Sequence, residues 1–130
     1  MSARIGDLGL LSDMHSAALV DRGGSIEWWC LPHFSSPSVF GRILDPRAGH
    51  FRVAPALIES VERRYLDDSL VLRTTFRTRT GTLELTDALA MAPGVRGHDL
   101  GRGSPHLILR HARCTSGDID LEVDFVPRFE

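Results

Sequence analysis

Apolar and polar residues alternate in short runs along most of this chain, and glycine, proline, serine and aspartate punctuate the runs. A period of two over four to eight residues marks a half-buried strand, whereas a helix repeats near 3.6. Ala17 to Asp21 and Ser25 to Leu31 flank Arg22-Gly23-Gly24. Glycine takes positive φ at no steric cost, so this reads as a β-hairpin with a tight turn. Strict alternation in the second run sets Ile26, Trp28 and Cys30 on one face and Trp29 and Leu31 on the other. Further strands are predicted at Phe51 to Ala54, Ser60 to Leu66, Leu70 to Thr78, Thr82 to Leu89 and His106 to Cys114. The last, Ile119 to Val126, alternates most cleanly, with Ile119, Leu121, Val123 and Phe125 against Asp120, Glu122 and Asp124. It predicts one buried and one wet face.

One segment departs from this rhythm. Ser36 can cap a helix, Pro37 suits its first position, and Val39, Phe40, Ile43 and Leu44 would share one side. A short helix is predicted from Ser36 to Leu44, stopped by Asp45-Pro46. Ala92 to Pro105 is the longest irregular stretch and reads as a loop. Seven or eight short strands with tight turns predict an all-β antiparallel sandwich with one short helix, a single domain over residues 1–130. The chain ends at Val126-Pro127-Arg128-Phe129-Glu130, straight after its strongest strand. The expectation is a part of something larger, or a homo-oligomer formed through an exposed sheet.

Composition narrows the function classes. The net charge is -2 and the pI about 6.3, and the arginines stand mostly beside acids, so neither nucleic acid nor an anionic membrane is an expected partner. All 15 basic residues are arginine, and lysine, asparagine and glutamine are absent. Lysine-nucleophile chemistry and N-glycosylation are therefore excluded. Cys30 and Cys114 belong to no ligand pattern and read as small hydrophobes in apolar strands, with no disulfide predicted. No run approaches the roughly 20 apolar residues of a membrane span, and no secretory leader pattern opens the chain, so a cytoplasmic protein is expected.

Candidate chemistry is sparse. Hydrolysis by a carboxylate pair needs two acids facing each other across a bond. Asp120, Glu122 and Asp124 read as a solvated strand face, and Asp67, Asp68 and Asp87 as turn or strand-end residues. Asp7 and Asp13 are expected to accept hydrogen bonds from nearby backbone N–H groups. No catalytic residue is assigned. His106 and His111 are five apart, wrong for one strand face, and no metal site or cofactor is expected. Gly94, Gly97, Gly101 and Gly103 with Arg96, His98 and Arg102 lack the lysine of a phosphate loop and read as a surface loop. Ser35 and Ser36 lie near His33, but no nucleophile elbow surrounds them. The best binding candidate is the aromatic loop from Trp28 to Pro37. Aromatic faces stack on sugar C–H groups, and proline presets a loop's shape. Trp28 reads as core; for Trp29 and His33, packing and ligand contact stand level.

Ile5-Gly6-Asp7, Ala17-Ala18-Leu19-Val20, Gly24-Ser25-Ile26 and Ser36-Pro37-Ser38-Val39-Phe40 resemble the trehalase-like amino-terminal domain of bacterial glucoamylases and trehalases of glycoside hydrolase family fifteen. Arg64-Tyr65-Leu66, the hairpin from Thr74 to Thr82, Thr86-Asp87 and Pro127-Arg128-Phe129 continue the likeness over the whole chain. The resemblance implies the first part of a supersandwich-like domain packed on an (α/α)6 barrel that cleaves α-glucosidic bonds. The resemblance places the two catalytic glutamates in that barrel, which is absent from this chain, and so implies that the chain is an accessory domain. The resemblance further implies that Trp29, Pro32, His33, Phe34 and Ser35 border the pocket for an α-glucoside ligand. Where the family commonly shows Arg-Phe-Asp-Ser, this chain has His33-Phe34-Ser35-Ser36 and lacks both the guanidinium fork and the carboxylate.

Overall fold

A computed structural model describes residues 4–91 and 102–129. Among the described residues a 3-10 turn at Ile5–Asp7 is followed by ten strands: β1 (Gly9–Ser12), β2 (Ala17–Val20), β3 (Ser25–Cys30), β4 (Ser38–Phe40), β5 (His50–Pro55), β6 (Ser60–Tyr65), β7 (Leu72–Arg77), β8 (Gly81–Leu89), β9 (Ile108–Gly117) and β10 (Leu121–Val126). They form two antiparallel sheets. One runs β1-β2-β3-β5-β10, with β4 also on β3; the other is the meander β6-β7-β8-β9. The expected all-β sandwich is observed.

The β2–β3 hairpin forms as its glycines predict. Asp21 Oδ1 accepts from the N–H groups of Gly23 and Ser25, each at 2.9 Å. Gly24 holds φ +81°, and a Cβ there would lie 2.4 Å from the Val53 carbonyl. Strict alternation in β3 fails for a local reason. Leu19 pairs with Trp28 and Val20 with Ile26, so Glu27 is the extra residue of a bulge. Trp29, not Trp28, therefore joins Ile26 in the core and stacks on Phe40 with ring centres 6.3 Å apart. The buried Glu27 is held by Arg42 Nε at 2.9 Å and the Ser25 hydroxyl at 2.7 Å.

The helix expected from Ser36 to Leu44 is not formed. Ser38–Phe40 is a strand in which Phe40 pairs with Trp29 and Ser38 with Cys30, and turns follow it. Val39 and Phe40 gain more from burial against β3 than the cap residues gain from one helical turn. Leu44, assigned to the apolar side of that helix, is exposed.

Arg110 on β9 ties the two sheets together. It meets Asp87 of β8 at 2.7 Å and donates to the Phe51 and Gly24 carbonyls of the other sheet at 2.6 and 2.7 Å. Both side chains are almost wholly buried. Asp87 is thus a core residue, correcting its reading as a strand end. Burial pushes its carboxyl above the ordinary value, against the pull of Arg110.

The two flanks of the sandwich differ. On one, β1 and β6 are stitched: Tyr65 Oη accepts from Leu10 N at 2.8 Å, and Arg63 donates to the Val20 carbonyl at 3.1 Å and to that of Asp7. On the other, β9 and β10 are both edges, joined by residues 118–120. Val123 pairs with Val53 and Phe125 with Phe51, so β10 turns its apolar side the way the alternation requires. That side is nevertheless uncovered: Leu121, Val123 and Phe125 are 45%, 60% and 59% exposed. The expectation of a buried face on this strand is corrected. Ala112 and Cys114 pair with the buried Leu85 and Leu83 and are exposed too. Cys114 is therefore not the buried hydrophobe the sequence suggested, and both cysteines are free thiols.

Candidate functional site

Three segments meet at one end of the sandwich. The first is the β1–β2 turn. Asp13, 1% exposed, accepts through Oδ1 from the N–H groups of His15 (3.0 Å) and Ser16 (2.9 Å), as the sequence predicted for this residue. Its Oδ2 accepts from the Ser104 hydroxyl at 2.9 Å. Burial alone would raise this carboxyl. The Ser16 and His15 amides, the Ser104 hydroxyl and the charge of His106 outweigh burial and hold it below its ordinary value of 3.8. Met14 in the same turn has φ +72°.

The second segment is the loop from Leu31 to Pro37, which opens with a cis Leu31–Pro32 bond. Ser36 closes it rather than capping a helix: its Oγ accepts from His33 N at 3.1 Å, and its own N–H donates to the His33 carbonyl at 3.0 Å. Phe34 N donates to the His15 carbonyl at 2.9 Å, and the Ser16 hydroxyl donates to that of Cys30, so the loop is tied to the turn. The third segment, 104–106, brings His106 in with φ +55°. Its Nδ1 lies 3.6 Å from Asp13 Oδ2 and is buried without a hydrogen-bond partner among the described residues. The rings of His15, His33 and His106 stand edge-on to one another, with centres 5.6, 5.6 and 5.9 Å apart.

Of the residues expected to border a pocket, Pro32, His33, Phe34 and Ser35 are exposed together on this loop. Trp29 sits behind them in the core, 8% exposed, with its indole N–H unpartnered among the described residues. The structure brings no free pair of buried acids together in the described part. Asp13, Glu27 and Asp87 are each held by backbone amides, hydroxyls or an arginine. Asp120 is exposed just before β10, and Glu122 and Asp124 lie on its polar side, where Glu122 reaches Arg52 at 3.5 Å and Asp124 reaches His50 at 2.7 Å. The glycine-rich candidates Gly94, Arg96, Gly97, His98 and Gly101 lie outside the described residues. At the opposite end is a cleft of about 450 Å³ lined by Pro55, Leu57, Ile58, Arg79 and Asp120. The histidine cluster was missed by sequence reasoning, since its members are 18 and 73 residues apart. No local signal marked it.

The family described as "Trehalase-like, N-terminal" matches residues 1–130. The chain belongs to this family. A trehalase from Mycolicibacterium smegmatis is 43% identical over 97% of this chain and 20% of its own length. A trehalase from Mycobacterium tuberculosis is 41% identical with the same coverage. One from Thermoplasma volcanium is 32% identical over 93% of this chain and 19% of its own length. The trehalase-like domain thus spans about a fifth of the relatives it matches. No solved structure gives a significant match.

Proposed function

We propose that this trehalase-like domain is a non-catalytic accessory sandwich of a glycoside hydrolase that cleaves an α-glucosidic bond. Its role is to support an (α/α)6 catalytic barrel lying elsewhere in the protein. The observation that carries this reading is the open flank. There β10 presents Leu121, Val123 and Phe125 to solvent beside a second edge strand, β9, an arrangement that calls for covering by further chain. The names of the relatives favour trehalose over maltooligosaccharides as the substrate. The free thiols Cys30 and Cys114 suit a cytoplasmic setting.

In this reading Pro32, His33, Phe34 and Ser35 form one wall of the barrel's pocket, and Trp29 backs them from the core. Phe34 at 57% exposure is the face available to a sugar. The test is glucose release from trehalose and maltose by the chain alone and by the full-length protein. The chain alone is expected to release none. Turnover proportional to its concentration would sink the proposal. In the full-length protein, Phe34→Ala is expected to raise KM for the sugar about tenfold, as loss of one stacking contact of 1–1.5 kcal/mol does. An unchanged KM would remove the pocket wall from the reading.

The same flank supports a second reading, a sandwich that self-associates and binds carbohydrate or a protein partner without hydrolysis. Light scattering separates them. A monomer at high concentration argues against self-association, and a dimer abolished by Val123→Arg argues for it.

A further inference from the structure

The carboxylate of Asp13 holds together parts of the chain that lie far apart in sequence. Its Oδ1 takes two amides of its own turn, and its Oδ2 takes the hydroxyl of Ser104, 91 residues on. The same turn receives the Phe34 N–H at the His15 carbonyl, 2.9 Å away, so the loop that carries Phe34 is fixed to it. Against this anchored group stands His106. Its Nδ1 is buried, faces Asp13 Oδ2 at 3.6 Å and has no hydrogen-bond partner among the described residues. The side chain is nevertheless 35% exposed, so solvent reaches the ring on the side away from Nδ1. The ring forms a triangle with those of His15 and His33. The His33 ring, its centre 5.9 Å away, belongs to the residue just before Phe34.

An ionised carboxylate only accepts hydrogen bonds. Amides and a hydroxyl hold the Asp13 carboxyl below its ordinary value and keep it ionised. The proton of a neutral His106 therefore sits on Nδ1, and Nε2 is left with its lone pair. The separation of 3.6 Å is longer than a hydrogen bond, and such contacts often tighten once substrate is bound. We propose that His106, oriented by Asp13, accepts a hydrogen bond at Nε2 from one hydroxyl of the α-glucoside whose C–H face rests on Phe34. Asp13 is the positioning residue, and His106 is the one that touches the sugar. The backbone adds to this. His106 holds a left-handed φ of 55°, which non-glycine residues seldom adopt, and such conformations gather at functional sites. The inference rests on the reading of Pro32 to Ser35 as a pocket wall.

The test is steady-state hydrolysis of trehalose by the full-length protein, with two replacements of His106. Asparagine tolerates the left-handed backbone and places a polar atom near the position of Nδ1, but it has nothing at the position of Nε2. Glutamine reaches that position. His106→Asn is expected to raise KM about tenfold, the size of one hydrogen bond to substrate. Its kcat should stay within about twofold of the parent, because the contact lies away from the bond that breaks. His106→Gln should recover most of the loss. Asp13→Asn should raise KM as well, and should cost nothing further in the His106→Asn background.

Monodeoxy trehaloses separate contact from mere support. In the parent, one of them should bind about tenfold more weakly than trehalose, and that penalty should vanish in His106→Asn. An unchanged KM in His106→Asn, or the same penalty for every deoxy sugar in parent and variant, would overturn the proposal. Phe34→Ala tells its failure from that of the wall. If Phe34→Ala raises KM and His106→Asn does not, the wall stands and His106 is no part of it. If neither moves KM, both readings fall.

Discussion

Arg110 donates to both oxygens of Asp87 and to the carbonyls of Phe51 and Gly24. Its guanidinium also lies 4.9 Å from the Phe51 ring centre. Removing one partner of such a pair strands a buried charge. Arg110→Ala is therefore expected to cost about 3–5 kcal/mol, while Asp87→Leu combined with Arg110→Met should cost far less, because an apolar replacement of the whole pair is often neutral. Urea denaturation of both variants decides it; equal losses would refute the account. Asp13 carries a pH signature. Its folded carboxyl titrates below 3.8. Its contribution is present above the unfolded value and is lost as pH falls through the lower folded one. Asp13→Asn should flatten the fall in stability below about pH 4, read from urea midpoints against pH. The amide contacts of Asp13 could be read from its place beside a turn, because His15 and Ser16 follow it closely in the chain, whereas Ser104 could not. Asp87 could not, because its partner is fixed only when β8 and β9 register.

At the scale of elements, the hairpin at Arg22-Gly23-Gly24 was legible because glycine spacing and alternation are local signals. Gly24 is the test. Its positive φ alone makes Gly24→Ala cost about 1–3 kcal/mol, and the approach to the Val53 carbonyl adds to that. Gly6→Ala, where a Cβ meets nothing within 4 Å, should stay within about 0.5 kcal/mol of the parent. Thermal unfolding of the two side by side checks the difference. The bulge at Glu27 was invisible, since one inserted residue leaves no mark on composition yet exchanges Trp28 and Trp29 between faces. The expected helix failed for a related reason. Ser36 and Pro37 give strong local signals, but Val39 and Phe40 answer to β3, a partner the local pattern does not show.

For the molecule as a whole, the fold class followed from turn spacing and alternation, whereas closure did not. Alternation in β10 announces two faces and is silent on whether anything covers the apolar one. If the flank is covered in the full-length protein, one substitution should behave differently in two settings. Val123→Arg is expected to change the stability of the isolated chain by less than about 1 kcal/mol, as an exposed site does. In the full-length protein it should cost several-fold more, as a charge forced into a packed interface does. Matching denaturation curves would show equal effects if the flank stays bare. The histidine triangle belongs to this scale as well, because only the assembled end of the sandwich brings its three segments together.

Sheet order carries a consequence for time. The meander β6-β7-β8-β9 pairs only neighbours in sequence, so each of its strands has its partner in the next stretch of chain. The other sheet cannot finish that way. β10 pairs with β5, with Leu121 opposite Pro55, and the entire meander lies between them in the chain. Nearby pairings form fast and distant ones slowly. During synthesis β5 must wait with one edge unpaired while a whole second sheet is made, and β10 closes that edge last.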